Sequence, residues 1–215
     1  MNSKIKNIIW DWNGTIVNDA GLFVDVMNGL LKEKNLPCTT LNFYKKNFCF
    51  PIEKYWKSLG FSFTKQEFDL LNNFFISEYK KRMFEPPLHK GITDLFLLMG
   101  KKNKQFVLSA SEQGLLNSSI NFYKLKNFFS DCLGVNNLNA RGKIDLGKKL
   151  FQKHNLKNKE TLFVGDTEHD KEVADSLGSK IVLIAHGHVS FQRLKETKAS
   201  VVRSVSELEK FFFNL

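Results

Sequence analysis

The sequence predicts an α/β fold in which a doubly wound parallel sheet is interrupted, after its first strand, by an all-helical insert. Two observations predict the sheet: short apolar runs recur along the chain, and amphipathic helical patterns separate them. A third predicts the insert, because residues 17–88 contain long helical patterns and no good strand. The predicted domains are an α/β core, residues 1–16 and 89–215, and a helical domain, residues 17–88.

The predicted strands are short runs of apolar and β-branched residues. The first covers residues 5–10 and ends in Asp11-Trp12-Asn13-Gly14-Thr15, where the glycine closes it with a turn. Later strands are predicted at Gln105–Leu108, Thr161–Val164, Lys180–Ala185 and, more weakly, Ser200–Val202. Because strands alternate with helices here, the order favours a parallel sheet with helices on both faces.

The predicted helices have apolar residues three or four positions apart. In the core they are Glu112–Tyr123, Ile144–His154, Glu168–Leu177 and Leu208–Leu215. In the insert they are Gly21–Lys34, Thr40–Asn47, Ile52–Ser58 and Lys65–Glu85. The insert ends at Glu85-Pro86-Pro87, a predicted linker because proline disfavours a continuing helix.

Composition and charge exclude several classes of protein. The 215 residues, 42% of them hydrophobic, suffice for a core domain and a small appended one. No run approaches the ~20 consecutive apolar residues of a membrane span, so no membrane partner is expected. The three cysteines form no CxxC pair and no secretory segment precedes the first strand. These features predict a cytoplasmic location.

The net charge of +10 is consistent with attraction for phosphorylated metabolites. The lysines are dispersed, and no zinc finger, RRM signature or basic heptad region accompanies them. A nucleic-acid partner is therefore not expected. The sequence does not distinguish a monomer from a dimer.

Polar residues follow the predicted strands at several places. Asp11 directly follows the first strand, at the sheet edge where open α/β folds bind ligands, and Gly14 would let the backbone turn closely around a phosphate. Ser109 follows Phe106-Val107-Leu108 and could donate to a phosphoryl oxygen. Taken singly, Asp11 would be better explained as an aspartate that caps a turn, and Ser109 is uninformative because serine is a strong helix cap. Ser111 is the better predicted cap for the following helix.

Two further groups complete the pattern. Lys143 lies at a predicted helix start, where the helix dipole disfavours a cation, so the position calls for an anionic partner. A solvated surface lysine is the alternative, and Arg141 is a competing cation. Asp166 and Asp170 follow the strand Thr161–Val164 and are well placed to hold a hard cation such as Mg²⁺ through oxygen ligands. His169 is expected to face away or to orient Asp170. It is not predicted to be a zinc ligand, since no second His or Cys lies at zinc spacing.

The order of these residues resembles the haloacid dehalogenase superfamily, whose members are mostly phosphatases with an aspartate nucleophile, and in particular its phosphoglycolate phosphatase-like members. The resemblance covers essentially the whole chain and implies a Rossmann-like core with a small all-helical cap of the C1 type. Phe50–Trp56 resembles the substrate-facing segment of that cap, and His89–Ile92 resembles the return into the core.

The resemblance also implies a role for each site residue. Asp11 would be the nucleophile that takes the phosphoryl group as an aspartyl phosphate. Mg²⁺ would be held by Asp11, the backbone carbonyl of Asn13 and Asp166, with Asp170 ordering these ligands. The residues that would bind the phosphoryl group of a small phosphorylated substrate are Gly14, Ser109, Ala110 and Lys143. Thr15 would orient the first loop.

Asn13 departs from the family pattern, because phosphatases of this family usually carry an aspartate there that protonates the leaving oxygen. An amide cannot exchange a proton in this way, and general acid–base catalysis contributes about 10²–10⁴-fold. Three readings follow. The leaving group needs little protonation; or water, substrate or a cap residue carries the proton; or the bond cleaved is not a phosphate ester.

Two other functions remain open at this stage. Phosphonoacetaldehyde hydrolase has the first motif Asp-Trp-Ala-Gly-Thr and also needs a cap lysine, for which Lys54 and Lys57 are available. A non-catalytic phosphate-binding or regulatory protein is favoured by Asn13 and disfavoured by the intact Asp11 and metal pair. A 2-haloacid dehalogenase is disfavoured, because its chemistry does not need Mg²⁺, whereas the carboxylates of Asp166 and Asp170 are intact in this chain.

Overall fold

The computed structural model describes residues 4–136 and 142–215. Within these ranges one parallel sheet contains six strands: β1 (Asn7–Trp10), β2 (Lys104–Glu112), β3 (Asp131–Val135), β4 (Thr161–Gly165), β5 (Lys180–Ile184) and β6 (Ser200–Val202). The strand order is β3-β2-β1-β4-β5-β6. The winding direction therefore reverses between β1 and β4, which is the point where doubly wound sheets bind ligands. The predicted fold class is confirmed.

Ten α-helices lie in the described parts of the chain. Four follow β1 without an intervening strand: α1 (Ala20–Glu33), α2 (Leu41–Asn47), α3 (Ile52–Ser58) and α4 (Lys65–Arg82). The others are α5 (Ile92–Gly100), α6 (Gln113–Phe122), α7 (Lys143–His154), α8 (Glu168–Ser176), α9 (Phe191–Glu196) and α10 (Val205–Phe213). Over the same ranges, no helix has both the length and the apolar character required for a bilayer crossing.

Alternation along the strands gives the sheet two apolar faces. Ile8 and Trp10 point to a cluster that includes side chains of α5, α6 and α10. Ile9 points to the opposite cluster, formed with α7 and α8. Helices therefore cover both faces, which explains why the central strands are continuous apolar runs.

The helices α1–α4 share a third apolar cluster, which includes Leu30, Tyr44 and Trp56. Leu183 of β5 and Val189 after it belong to the same cluster. The helices of the insert therefore pack against β5 and the segment that follows it, next to the loops at the carboxyl ends of the strands. The boundaries of the two domains, at residues 16–17 and 88–89, stay a prediction.

Several elements differ from the sequence prediction. The strand β3 and the helices α5 and α9 were not predicted. β3 is a half-exposed edge strand and α9 has only six residues, whereas the buried residues of α5 (Ile92, Leu95, Phe96 and Met99) do follow a helical period that the sequence analysis missed. The last helix begins at Val205 rather than Leu208, because the Ser204 side chain accepts a hydrogen bond from the Glu207 amide.

The end of β2 corrects the prediction for Ser111. β2 continues past Leu108 to Glu112, so Ser109 and Ser111 lie within the strand. The cap of α6 is Glu112, whose carboxylate accepts hydrogen bonds from the amides of Gly114 at 2.8 Å and Leu115 at 3.0 Å. Ser111 was therefore wrongly predicted as the cap, because a glutamate one residue later competes for the same amides.

Candidate active site

Three carboxylates meet at the carboxyl edge of the central strands. Asp11 follows β1 and Asp166 follows β4, and these strands are paired so that Trp10 lies beside Val164. Asp170 lies on the first turn of α8. One carboxylate oxygen from each of the three lies within 4.8 Å of the others, and all three residues are buried. The switch point of the sheet thus concentrates negative charge.

Lys143 provides the counter-charge from the first residue of α7. Its Nζ donates to Asp11 Oδ1 at 2.7 Å and to Asp170 Oδ1 at 2.6 Å. The lysine is only 2% exposed. Burial alone would lower the pKa of Lys143, but the charges of Asp11 and Asp170 outweigh it and raise the pKa above its ordinary value. The lysine is therefore a buried cation between two anions.

Asp170 is held from both sides. Its Oδ2 accepts hydrogen bonds from the amides of Asp166 at 3.1 Å and Thr167 at 3.0 Å, and from the Thr167 hydroxyl at 2.8 Å. Together with the Thr167 side chain it forms a capping box at the start of α8. Burial would raise the pKa of Asp170, but Lys143 outweighs this effect and the pKa is lowered. Asp170 is a fixed anion that positions Lys143.

Asp166 and Asp11 are compensated less well. Asp166 accepts hydrogen bonds from the Thr15 hydroxyl at 2.8 Å and from the His188 amide at 2.6 Å. Burial nevertheless raises its pKa to about 7. Burial, followed by repulsion from Asp170, raises the pKa of Asp11 to about 6. Buried oxygen ligands with excess negative charge are suited to a hard divalent cation, so these residues fit Mg²⁺.

Glycines let the backbone approach Asp166 closely. Gly14 has φ of 73°, and a Cβ atom there would lie 2.4 Å from Asp166 Oδ2 and 2.4 Å from His188 Cδ2. At Gly187 a Cβ atom would lie 2.1 Å from Asp166 Oδ2. Any side chain at either position would displace the Asp166 carboxylate. The role of Gly14 as a phosphate contact stays a prediction.

The Asn13 side chain is bound at both ends. Its Nδ2 donates to Asp19 Oδ2 at 2.5 Å and to the Tyr79 hydroxyl at 2.9 Å. Its Oδ1 accepts a hydrogen bond from the Ser111 hydroxyl at 2.5 Å. The Tyr79 hydroxyl in turn donates to Asp19 at 2.8 Å. Since Asp19 is a carboxylate, it requires the amide nitrogen of Asn13 to face it, which fixes the orientation of the amide.

A buried ion pair behind Asn13 was missed by the sequence analysis. His188 Nε2 lies 3.3 Å from Asp19 Oδ1, and His188 Nδ1 lies 2.8 Å from the Tyr44 hydroxyl. Burial would lower the pKa of His188, but Asp19 outweighs it and raises the pKa. The segment Ala185-His186-Gly187-His188 follows β5, so the rule that polar residues collect at strand ends could have identified it. Asp19 and Tyr79 carry no comparable local signal.

Two stacked histidines hold the loop after β1. The rings of His89 and His186 are parallel within 5°, with centroids 3.4 Å apart. His89 Nε2 lies 2.9 Å from the Gly14 carbonyl, and His186 Nε2 lies 3.1 Å from the Thr15 carbonyl. Burial lowers the pKa of His89 to about 4 and that of His186 to about 3. Both rings are therefore neutral near pH 7, with an N–H free to donate to each carbonyl.

A cavity of about 130 Å³ opens onto this edge of the sheet. Asp11, Lys143, Ser109 and Ala110 line its floor, and side chains of α1, α3 and α4 line its opposite wall. Ser109 is 1% exposed, and its hydroxyl accepts a hydrogen bond from the Ser111 amide at 3.0 Å. Predicted site residues from four separate segments thus line one cavity (Asp11, Asn13, Ser109, Ala110, Lys143 and Asp170), whereas Gly14, Thr15 and Asp166 do not line it.

The structure also shows where the alternative candidate site residues lie. His169, expected to face away or to orient Asp170, lines the cavity, with Nδ1 3.0 Å from Glu172 Oε2 and its ring centroid 4.9 Å from that of Phe50. Lys54 and Lys57 are exposed, and Lys143 is the one lysine among the described residues that lines the cavity. Arg141 lies outside the described residues.

Comparisons with known proteins agree on one family. Residues 8–184 match the family described as haloacid dehalogenase-like hydrolase. Among curated proteins no match was found.

Three solved structures show the shared fold. A predicted phosphatase from Clostridium acetobutylicum has a TM-score of 0.84 at 20% identity, over 99% of this chain and 100% of that one. A haloacid dehalogenase-like hydrolase from Streptococcus pneumoniae has 0.82 at 19%, over 97% and 98%. A predicted phosphoglycolate phosphatase from Haemophilus somnus has 0.78 at 20%, over 97% and 98%. Because the family match covers most of the chain, this protein belongs to the haloacid dehalogenase-like hydrolases.

Proposed function

We propose that the chain is a Mg²⁺-dependent phosphohydrolase that acts on a small phosphorylated metabolite through an aspartyl-phosphate intermediate, with Asp11 as the nucleophile. One observation carries the proposal: the buried Asp11 carboxylate shares the cavity floor with Lys143, and its oxygens lie within 4.8 Å of those of Asp166 and Asp170. Phosphoryl transfer is mainly positioning and charge neutralisation, which this arrangement supplies.

In the first step, an Asp11 oxygen forms a bond to phosphorus while the bond to the leaving oxygen breaks. Lys143, with Ser109, binds the phosphoryl oxygens, and Asp170 keeps Lys143 directed at Asp11 through their 2.6 Å contact. In the second step, water attacks the phosphorus of the aspartyl phosphate. Inorganic phosphate leaves, and the Asp11 carboxylate is restored.

Asp11, Asp166 and the backbone carbonyl of Asn13 would hold the metal ion, which supplies charge neutralisation at the phosphoryl group. Thr15 orients Asp166 through the 2.8 Å hydrogen bond of its hydroxyl. Asp170 orders the site without serving as a ligand, because Lys143 and the turn before α8 occupy its two oxygens.

Asn13 cannot protonate the leaving oxygen. Its amide nitrogen is engaged with Asp19 and Tyr79, and the Tyr79 hydroxyl hydrogen is itself donated to Asp19. Asn13, Asp19 and Tyr79 therefore offer no free acidic proton, and the cationic His188 beside them is paired with Asp19. Of the three readings open from the sequence, a leaving group that needs little protonation is the best supported.

The names of the structural neighbours support a phosphate ester as the substrate, since two of them are called phosphatases. A phosphonoacetaldehyde hydrolase would require a lysine directed into the cavity from the helical insert. Lys54 and Lys57 are exposed and do not line the cavity, so the structure favours the phosphatase reading over this alternative.

The test is hydrolysis of acetyl phosphate and p-nitrophenyl phosphate by the purified protein with Mg²⁺. We expect EDTA and the substitution Asp11→Asn each to abolish turnover. Asp145→Asn is the matched control, because this carboxylate of α7 has a side chain that is 78% exposed and lies outside the cavity. Activity unaffected by Asp11→Asn would contradict the proposal.

A non-catalytic phosphate-binding protein is the second candidate, favoured by Asn13. It predicts that the protein binds inorganic phosphate but turns over neither substrate in the presence of Mg²⁺. The same assay, with phosphate binding measured by calorimetry, separates the two functions.

A further inference from the structure

We infer that the substrate of this site is a phosphate monoester whose leaving group is apolar, uncharged and about the size of one ring. The inference rests on the proposed function and names its substrate class. It excludes substrates whose second end carries a carboxylate or another phosphate, such as phosphoglycolate.

The cavity wall opposite Asp11 is mostly hydrocarbon, although Tyr44, Tyr55, Asn72 and Tyr79 also line it. The side chains that form most of it are Met27, Phe48, Phe50, Trp56, Phe75 and Ile76. Leu115 of α6 closes the cavity from the side of the sheet. A leaving group bound here exchanges water for aromatic and aliphatic contacts, which favours apolar groups in proportion to the area buried.

No basic side chain of this wall, within the described residues, is available to a second anion. The three that line the cavity each face a carboxylate of the protein. Lys143 contacts Asp11 and Asp170, His188 lies 3.3 Å from Asp19, and His169 lies 3.0 Å from Glu172. A carboxylate on the leaving group would lose its hydration without gaining an ion pair.

One acidic residue adds to this selectivity. Glu112 lines the cavity, and its carboxylate accepts hydrogen bonds from the amides of Gly114 and Leu115 at the start of α6. An anionic leaving group would meet this fixed negative charge, and like charges that face one another across a site discriminate against the wrong ligand.

The volume limits the size of the leaving group. The cavity measures about 130 Å³. An apolar protein cavity of about 150 Å³ accepts benzene, and here the phosphoryl group on the cavity floor takes part of the volume, so one ring is the upper limit for the leaving group. A nucleoside or a long acyl chain would not fit in this arrangement of the helices.

The test compares leaving groups of similar basicity, so that binding is separated from chemistry. Initial rates are measured at fixed Mg²⁺ with benzyl phosphate, ethyl phosphate and phosphoglycolate, with acetyl phosphate as a reporter of the chemical step. We expect kcat/KM for benzyl phosphate to exceed that for phosphoglycolate by about tenfold or more, with ethyl phosphate between them.

Variants locate the effect in the wall. Ile76→Ala should lower kcat/KM for benzyl phosphate about fivefold, a larger loss than it causes for acetyl phosphate. Leu70→Ala is the matched control, because Leu70 lies on the same helix, is 70% exposed and does not line the cavity. Ile76→Lys should shift the preference toward phosphoglycolate.

Binding measurements keep the inference testable without turnover. Benzylphosphonate should bind the wild-type protein with Mg²⁺ about tenfold more tightly than phosphonoacetate, as measured by calorimetry. Equal affinities, or a preference for phosphonoacetate, would overturn the inference. If acetyl phosphate hydrolysis depends on Asp11 but phosphoglycolate is the better ester, the substrate class is wrong and the proposed function stands. If Asp11→Asn leaves hydrolysis unchanged, the function fails instead.

Discussion

At the scale of single residues, the contact between Asn13 and Asp19 determines what residue 13 can do. The amide nitrogen lies 2.5 Å from Asp19 Oδ2, and Asp19 is fully buried. An aspartate at position 13 would bring two carboxylates together, which raises the pKa of the pair. A carboxyl group that keeps its proton is what a general acid requires.

Asn13→Asp should therefore raise turnover of alkyl phosphates more than that of aryl or acyl phosphates. The new carboxyl can protonate a basic leaving oxygen, an effect worth about 10²-fold or more where protonation limits the rate. The measurement is kcat/KM for ethyl, phenyl and acetyl phosphate in both proteins. Equal changes for all three would contradict the role assigned to residue 13.

The stability of Asn13→Asp is compared with that of the double variant Asn13→Asp with Asp19→Asn. Asn13→Asp alone should lower the free energy of unfolding, because the new carboxyl group then faces Asp19 Oδ2 and competes with it for the Tyr79 hydroxyl donor. The double variant restores one carboxyl and one amide but leaves the buried His188 without Asp19, so chemical denaturation should show that it is no more stable than Asn13→Asp.

Lys143 should be essential for stability as well as for binding. Lys143→Met leaves the buried Asp11 and Asp170 without their shared cation, and breaking a buried ion pair costs about 3–5 kcal/mol. Urea denaturation measures the loss. Lys148→Met, on the same helix with a side chain that is 59% exposed, should change stability by less than about 0.5 kcal/mol. Similar losses in both variants would show that helix propensity, not the ion pair, is responsible.

At the scale of elements, two helices begin with the same capping box but in different surroundings. Thr64 and Glu67 form it at the exposed start of α4. Thr167 and Asp170 form it at the buried start of α8, where Asp170 also holds Lys143. At the start of α8, the Asp170 side chain therefore both accepts hydrogen bonds from otherwise unpaired backbone amides and holds Lys143 in position.

Thr64→Ala and Thr167→Ala should each reduce the free energy of unfolding by about 1 kcal/mol, the usual effect of losing a cap. Only Thr167→Ala should also reduce kcat, because Asp170 Oδ2 loses a 2.8 Å hydrogen bond and Lys143 is then held less firmly. Thermal unfolding and acetyl phosphate turnover are measured for both. A loss of turnover in Thr64→Ala of equal size would mean that stability alone explains the result.

At the scale of the whole molecule, the stack of His89 on His186 joins segments that are distant in the chain. His89 precedes α5, His186 follows β5, and both contact carbonyls of the loop after β1. Since their folded pKa values are about 4 and about 3, these two histidines bind more protons in the unfolded chain than in the folded one below about pH 6.5. The stability that the pair contributes is complete above pH 6.5 and is lost as the pH falls.

Asp11 and Asp166 act in the opposite sense over an overlapping range, because their pKa values are raised to about 6 and about 7. A difference measurement isolates the histidines. In the double variant His89→Gln and His186→Gln, the amides can still donate to the carbonyls but do not titrate. Relative to this variant, the wild type should lose stability as the pH falls from 7 to 4. Parallel pH profiles would contradict the expectation.

The sequence by itself determined the fold class, the order of most elements and the family. These rest on local signals: apolar runs bounded by turns, amphipathic periods, and Asp11, Lys143, Asp166 and Asp170 at strand or helix ends. Such residues are recognisable because each lies at a boundary that the sequence marks. β3 and α9 were missed because a half-exposed edge strand and a six-residue helix lack a clear period, whereas α5 was missed although its buried residues follow a helical period.

Only the tertiary structure decided the surroundings of Asn13 and the character of the cavity. Asp19, Tyr79 and His188 come from α1 and α4 or the segments beside them and from the loop after β5, and no local pattern relates them. The apolar wall is likewise assembled from several helices, and its side chains alone resemble ordinary core residues. Charge compensation and cavity lining depend on distances between remote segments, which the order of residues does not express.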